Sequence, residues 1–571
     1  TDVAKQMNRL PALIGAAIFV VALLFRLVGI GWGLKNDLHN QSYHPDELEN
    51  FLVAQQIEPA KGNFLPHHYN YGTLYFTLVR VTSDVVTGYT GGPDKSEDSN
   101  WDWISRCTKA GRIVGAAFGA GTALLLYGMM RRFTSLLGAT LAGAVIAIAP
   151  AHVVHSRFLT VDVFALFFIA ASAYAALRLI PAAEGEPPAE VDERLDQKLG
   201  LKFAALSGLF AGLSAGVKYT GILALFTLYA AVVLAKRKRW ILESVVATAV
   251  AGIAFVVSTP GCLFDQEAFL RDVKFEMNHV ATGHGLAFVD TSIGFVYHTS
   301  NLFLGLGAIL TLVCLAGLTW AATKRQLWCL ALLAFFIPYF VLIGREEVKF
   351  LRYTFPLYVA LAAGFGWAMA EMHRRGGLAR LGVAIGICGL GGLDFGGLRS
   401  AATLTAQMAF EDPRDRAVRY IRSIETPATR VGLAREIWYW SVPLMPDNDL
   451  PPSVAMDKRI QEMHTTAKPP VDIVLNPVDG SPVAFSPKLI TDLRPELIVF
   501  TSIEAGDLTR LRDAKGLNPG DQSMVNDTAK FMDVLPKYYK PYGVFGTGGL
   551  PVEDMEYINP QVYIWKRIGT P

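Results

Sequence analysis

Two adjacent carboxylates, Asp46 and Glu47, stand in the run Tyr43-His44-Pro45-Asp46-Glu47, a short step beyond the first membrane-length apolar segment. Free carboxylates beside a bilayer are costly unless they have water to sit in or a role to fill. Pro45 suits the first position of a helix, which puts both acids in its first turn and Leu48, Phe51 and Leu52 on an apolar face. Two chemistries fit: the acids complement the dipole of an amphipathic helix lying on a membrane, or one accepts a proton from a substrate hydroxyl as a general base. A third acid, Asp162, follows Arg157 by five residues in a turn between apolar segments, so the two form an ion pair with each other or belong to a site. Lys218, before Tyr219 in another such turn, is a snorkelling lysine or a ligand.

The densest charge run is Arg345-Glu346-Glu347-Val348-Lys349-Phe350-Leu351-Arg352-Tyr353. Three cations directly before a helix suit a lipid-borne phosphate, whose oxygens match the forks of arginine, and they equally suit anchoring to headgroups. Arg271, Lys274, Glu276, His279 and His284 form a further polar group. His279 and His284 with Glu47 or Asp46 have the ligand types for a divalent metal, without a diagnostic spacing. The aromatic stretch 67–76 reads as an interfacial belt or a sugar-stacking surface.

These residues are carried by a chain built for lipid. Of 571 residues, 52% are hydrophobic and 18% charged, against roughly 25% charged in an average soluble protein. Mean hydropathy is +0.32. A net charge of +2 gives no global basic field for nucleic acid. The five cysteines all lie in the apolar half without metal-ligand spacing and read as small packing residues. Apolar segments of near-membrane length recur from Pro11 to Leu398, and about eleven spans fit a ~30 Å hydrocarbon core. No small-residue cleavage pattern follows the first, so it reads as a retained helix. The basic clusters Arg131-Arg132, Lys236–Arg239, Lys324-Arg325 and Arg374-Arg375 share one side of this count, which the positive-inside rule makes cytoplasmic. The acidic linker Glu184–Gln197 falls there too and reads as a solvated loop. The acids and the other cations then gather on the outer face. The sequence thus predicts a polytopic α-helical membrane domain over 1–398, with an external loop at 32–103, and a soluble extracytoplasmic α/β domain over 399–571. In that tail, apolar runs at 471–475, 497–500 and 562–565 read as strands and 415–424 as a helix.

With these motifs the membrane half resembles the GT-C glycosyltransferases that use polyprenyl-phosphate sugars, a group that includes protein O-mannosyltransferases and the aminoarabinose transferases. The resemblance is carried by Tyr43–Glu47, by Gly111-Arg112, by Ser156-Arg157 through Asp162, and by Lys349–Tyr353 with Pro356 following. It implies inverting transfer of one sugar from a polyprenyl-phosphate carrier to a hydroxyl of a protein, lipid or glycan, outside a bacterial plasma membrane. It implies Asp46 as the base, Asp162 as the second acid, and Glu47 as a supporting or ion-binding residue. Arg157, Lys218, Arg271, Lys349 and Arg352 would hold the carrier phosphate, and His44, Tyr71 and Tyr353 would line the substrate. A divalent metal on Glu47, His279 and His284 is compatible with it. At Asn70-Tyr71-Gly72 the chain departs from the Lys-Pro-Pro run of the aminoarabinose transferases, so the resemblance does not extend to the sugar. The competing reading is a transporter or flippase, which calls for polar residues at the bilayer midplane and broken helices recurring in two halves. A non-catalytic scaffold displaying the tail would leave the acids without a role.

Overall fold

The computed structural model describes residues 2–88, 100–182, 193–394, 396–435, 439–444, 471–474, 483–548 and 552–569. Its membrane half runs from α1 (Asp2–Leu27) through two helices of the first loop, α2 (Pro45–Gln55) and α3 (Thr73–Val86), to the long α4 (Asn100–Met130). Next come α5 (Leu136–Ile148), the short α6 (Pro150–His155), α7 (Val161–Leu177), α8 (Glu193–Val217), α9 (Leu225–Leu234) and α10 (Trp240–Ser258). A second loop carries α11 (Gly261–Phe264) and α12 (Gln266–Thr282). Then follow α13 (Gly294–Leu306), α14 (Ala308–Thr323), α15 (Leu327–Gly344), a 3-10 turn at Leu351–Leu357, α16 (Tyr358–Arg375), α17 (Ala379–Gly391) and α18 (Gly397–Ala409). The linker predicted at 184–197 falls outside the described residues up to 192, and from Glu193 it is already helix.

All eleven apolar segments are helical, but they are not equal. Among the described residues six helices are long and apolar enough for a full crossing, and α13 with α14, bent by 112°, would make a seventh. Four others are apolar but only 10–17 residues long, so a count of eleven crossings requires each of these to reach across too. The bend has a backbone cause. Gly307 sits at φ +105, where a side chain would be strained, and its position for a Cβ is 2.6 Å from the Cα of Gly396. Asp394 then accepts a hydrogen bond from the Ile309 N–H at 2.5 Å, which satisfies a donor at the start of α14. Exposed apolar residues such as Leu13, Leu24, Val245 and Val257 mark the lipid-facing surface.

The first loop is seated by two devices. Gly72 donates to the Val217 carbonyl at 3.1 Å, and a Cβ on Gly72 would lie 2.1 Å from the Gly216 oxygen. Only glycine permits this approach, which lays the 69–72 segment against the end of α8. The second device is Glu47. Its carboxylate receives Arg112 Nε and Nη2, both at 2.7 Å, the Leu159 N–H at 2.8 Å and the Ser42 hydroxyl at 2.5 Å. Arg112 also donates to the carbonyls of Ile30 and Trp32. Both side chains are buried. This bidentate pair ties α2 to α4 and to the turn before α7.

The soluble domain begins after α18, which packs on α6, α1 and α5 and therefore sits with the membrane half. Helix α19 (Pro413–Ile424) leads into a five-stranded sheet of β1 (Arg430–Leu433), β2 (Asp472–Val474), β3 (Leu497–Thr501), β4 (Tyr539–Phe545) and β5 (Val562–Arg567). The order is β2-β1-β3-β5-β4, parallel among the first three and antiparallel at β5 and β4. The predicted strands correspond to β2, β3 and β5. The strands β1 and β4 and the helices α20 (Ser502–Arg510) and α21 (Pro519–Tyr538) were not anticipated, because their apolar residues are too sparse to show a clear period.

The domain is fastened to the first loop through Arg414. This fully buried guanidinium pairs with Asp412 through two bonds of 2.7 Å, lies 3.7 Å over the Tyr43 ring, and donates to the Tyr557 and Tyr439 carbonyls. Trp32 donates to Asp412 and Tyr43 to Asp415 alongside it. Removing one partner of a buried ion pair leaves an uncompensated charge, at a cost of about 3–5 kcal/mol. Arg414→Ala is therefore expected to lower the thermal midpoint of the detergent-solubilised protein and to open the α18–α19 junction to protease; wild-type values on both would contradict this docking. Glu47→Gln is expected to lower the midpoint by a comparable amount without releasing the soluble domain.

Candidate active site

His44 caps α2, its Nδ1 accepting from the Asp46 N–H at 3.2 Å. Burial pulls its pKa down to about 3, so the ring is neutral and Nε2 carries the proton facing the Tyr557 hydroxyl at 3.2 Å. The cap fixes the first turn of α2, and helical rotation sends the two adjacent acids different ways. Glu47 enters the core toward Arg112. Asp46 stays half-buried, with 35% of its side chain exposed.

Asp46 faces Arg352. The guanidinium of Arg352 stands among three carboxylates, with Asp162 at 3.4 Å from Nε, Asp46 at 3.6 Å from Nη2 and Asp554 at 3.8 Å from Nη1. Its Cζ lies 4.0 Å over the Phe350 ring. Asp162, in the first turn of α7, also receives Lys218 Nζ at 2.8 Å. Lys218 in turn lies 4.0 Å over the Tyr353 ring. Tyr71 belongs to the same neighbourhood: burial, reinforced by Asp46, pushes its phenol well above the ordinary range. Burial also pushes Glu346 up to about 7, against the nearby Lys218. Two cations and three acids thus meet at one place, with Asp46 the most exposed of the acids at 35%, against 7% for Asp162 and 1% for Asp554. A group so placed can take a proton from an incoming hydroxyl, and Arg352 and Lys218 can stabilise negative charge developing beside it.

Several expected members are elsewhere. Glu47 turns into the core, where Arg112, Ser42 and Leu159 fill its oxygens. Arg157 is fully buried and its partners do not include Asp162. It donates to Thr405 at 2.6 Å and to the Phe25 carbonyl, so it is a packing arginine between α1 and α18. Arg271 is exposed on α12 and paired with its neighbour Asp272 at 2.7 Å. Lys349, three residues before Arg352, engages Thr291 and Glu347. His44 is spent on the helix cap and Tyr557. His279 and His284 do meet, ring nitrogens 3.0 Å apart, but Glu47 is held away from them. Among the described residues no group of three His, Cys, Asp or Glu side chains could hold a metal ion. The acids around Arg352 are likewise engaged by Arg352 and Lys218, so the donor set as it stands does not fit one.

Asp554 and Tyr557, from the segment before β5, were missed. Nothing in Glu553-Asp554-Met555-Glu556 distinguishes them from a solvated acidic turn, and only the docking of the soluble domain brings them to Arg352. Arg112 appeared only as part of a motif; as the last charged residue of the 31-residue α4, at the edge of its apolar stretch, it was the available signal for a buried acidic partner.

A family model for dolichyl-phosphate-mannose-protein mannosyltransferases matches residues 94–272, the stretch that holds Arg112, Asp162 and Lys218. No curated protein matches the sequence. Among solved structures, the oligosaccharyltransferase AglB from Archaeoglobus fulgidus, in complex with an inhibitory peptide and a dolichol-phosphate, is similar at TM-score 0.52 and 13% identity, over 94% of this chain and 73% of that one. An oligosaccharyltransferase from Archaeoglobus fulgidus tethered with an acceptor peptide via a disulfide bond gives TM-score 0.51 at 15% identity, over 94% and 74%. ArnT from Cupriavidus metallidurans in the apo state aligns over 99% and 98% at 13% identity, with a TM-score of 0.48. By its likeness to the archaeal enzyme the chain has the GT-C fold, and its residues 94–272 match the mannosyltransferase family model.

Proposed function

We propose that this protein moves a single sugar from a polyprenyl-phosphate carrier to an acceptor hydroxyl, with inversion at the sugar carbon. The observation that carries this reading is the meeting of Asp46 and Asp162 across Arg352, with Lys218 alongside, at one end of the helical bundle. The family match and the GT-C fold support it. The glycosidic bond to the carrier phosphate breaks as the acceptor oxygen bonds to the sugar carbon; the hydroxyl proton passes to Asp46, and the polyprenyl phosphate leaves with the electron pair. Arg352 and Lys218 meet the charge that grows on the phosphate, in a site where few waters compete. Asp162 orients both cations, and Tyr71 and Tyr353 flank the substrate.

The basic clusters lie at the helix ends opposite this site, so the positive-inside rule supports a site and soluble domain facing outside the membrane, as in a bacterial plasma membrane. The mannosyltransferase match favours a hexose over a pentose as the donor sugar. A protein, lipid or glycan supplies the acceptor hydroxyl. Among the described residues the bent pair α13–α14 is a feature that suits a transporter. At its bend, however, Gly396 lies against Gly307 and Asp394 satisfies the start of α14.

The test uses purified protein in nanodiscs with undecaprenyl-phosphate mannose and, separately, an undecaprenyl-phosphate pentose, following release of undecaprenyl phosphate with membrane glycans as acceptor. Asp46→Asn is expected to lower turnover by about 10²–10⁴-fold, the range for losing a general base, with unchanged expression and thermal midpoint. Wild-type turnover in that variant would remove Asp46 from the chemistry. Arg352→Gln is expected to weaken binding of undecaprenyl phosphate as well as turnover.

A further inference from the structure

The soluble domain does more than sit beside the site. Asp554 is almost fully buried and accepts the Leu351 and Arg352 N–H groups at 3.1 and 3.0 Å. These are the first amides of the 3-10 turn at Leu351–Leu357, and no side chain of the turn's own N-terminal residue caps them. A helical turn leaves its first donors without partners, and here a residue two hundred positions away supplies the acceptor. The same carboxylate faces the Arg352 guanidinium at 3.8 Å and His155 Nε2 at 3.5 Å. Three residues on, Tyr557 meets the capping histidine of α2, and its carbonyl receives Arg414.

Arg352 makes no hydrogen-bond-length contact to any of its three carboxylates, which stand at 3.4–3.8 Å. A charge-assisted guanidinium–carboxylate bond closes to about 2.7–2.9 Å when nothing opposes it. Backbone and charge act together: Asp554 holds the turn through the Leu351 and Arg352 amides and stands on Nη1 while Asp162 stands on Nε, an arrangement that leaves Arg352 short of closing on Asp46. If it closed, the base would be locked in an ion pair. Counting Asp46, Asp162 and Asp554 against Arg352 and Lys218, the centre holds one more negative than positive charge. One excess carboxylate weakens the hold on a phosphate, which favours release of the product carrier.

We propose that Asp554 is a positioning residue of the catalytic centre, delivered by the soluble domain, which holds Arg352 off Asp46 and sets the charge balance that releases the carrier phosphate. The domain is thereby part of the active site. This role rests on the glycosyl-transfer reading above.

The experiment compares full-length wild type, Asp554→Asn, Asp554→Glu and Arg510→Ala in nanodiscs. Arg510 docks the same domain through the Leu286 and Val289 carbonyls. In Asp554→Asn, kcat is expected to fall about 10²-fold, as small misplacements of catalytic groups do. Binding of undecaprenyl phosphate itself is expected to tighten by about fivefold, because one negative charge has left the centre. Asp554→Glu should return both toward wild type, and Arg510→Ala should not tighten binding. Opposite movement of kcat and affinity is what a merely structural loss cannot produce. Unchanged or weakened phosphate binding in a folded Asp554→Asn overturns the proposal. If that variant does not fold, Asp554→Glu decides: kcat within tenfold of wild type and unmoved affinity support it, and loss of kcat in the folded protein overturns it. If wild type turns over no polyprenyl-phosphate sugar, the function fails on its own. The Arg352–Asp46 separation in a structure of Asp554→Asn then tests the positioning, contraction from 3.6 Å supporting it and an unchanged distance overturning it.

Discussion

One guanidinium shared by three carboxylates organises this molecule. Arg352 is reached by Asp46 from the first loop, by Asp162 from α7 and by Asp554 from the soluble domain. A buried cation needs its charge met, and a buried acid is tolerated only beside a cation. The three units that carry these acids are therefore constrained to one arrangement around Arg352. Lys218 relieves part of the negative excess through Asp162. The same electrostatic demand that holds the domains together leaves the centre charged and poised.

The second constraint is the division of labour between neighbours in sequence. Asp46 and Glu47 differ by one position, which on a helix is about 100° of rotation. Glu47 turns inward, where a bidentate arginine and two further donors fill its oxygens. Asp46 turns to the open side, where its one cation stays at 3.6 Å. The buried acid fixes α2, and that fixation gives the exposed one a defined position. The pair at Arg414 does the same for the soluble domain, holding it against Tyr43 beside the first turn of α2.

Much of this was legible beforehand where the signal was local. Apolar runs gave the helices, Pro45 gave the start of α2, and β-branched and aromatic residues gave β5 and β3. Asp46, Asp162 and Lys218 stood out as charges at the membrane edge, and Arg352 as a cation suited to a phosphate. The same reasoning could not tell them from Arg157 and Glu47, which are equally charged and equally close to the bilayer. A charge satisfied in the core and a charge facing a substrate cost the sequence the same residue. Four of the apolar segments also proved short, because a span packed among other helices need not follow the length of the bilayer by itself.

The residue types along the chain determined the membrane class, the order of the helices, the α/β tail and the set of groups able to do acid–base and phosphate chemistry. Those properties follow from hydropathy and side-chain chemistry, which act over a few turns of chain. Tertiary structure alone decided which charges meet. Glu47 went to Arg112, Arg157 went to α1 and α18, and Asp554 crossed from the soluble domain to Arg352. Electrostatic partnership depends on distances of 3 to 4 Å between segments tens or hundreds of residues apart, and no local pattern encodes such a distance.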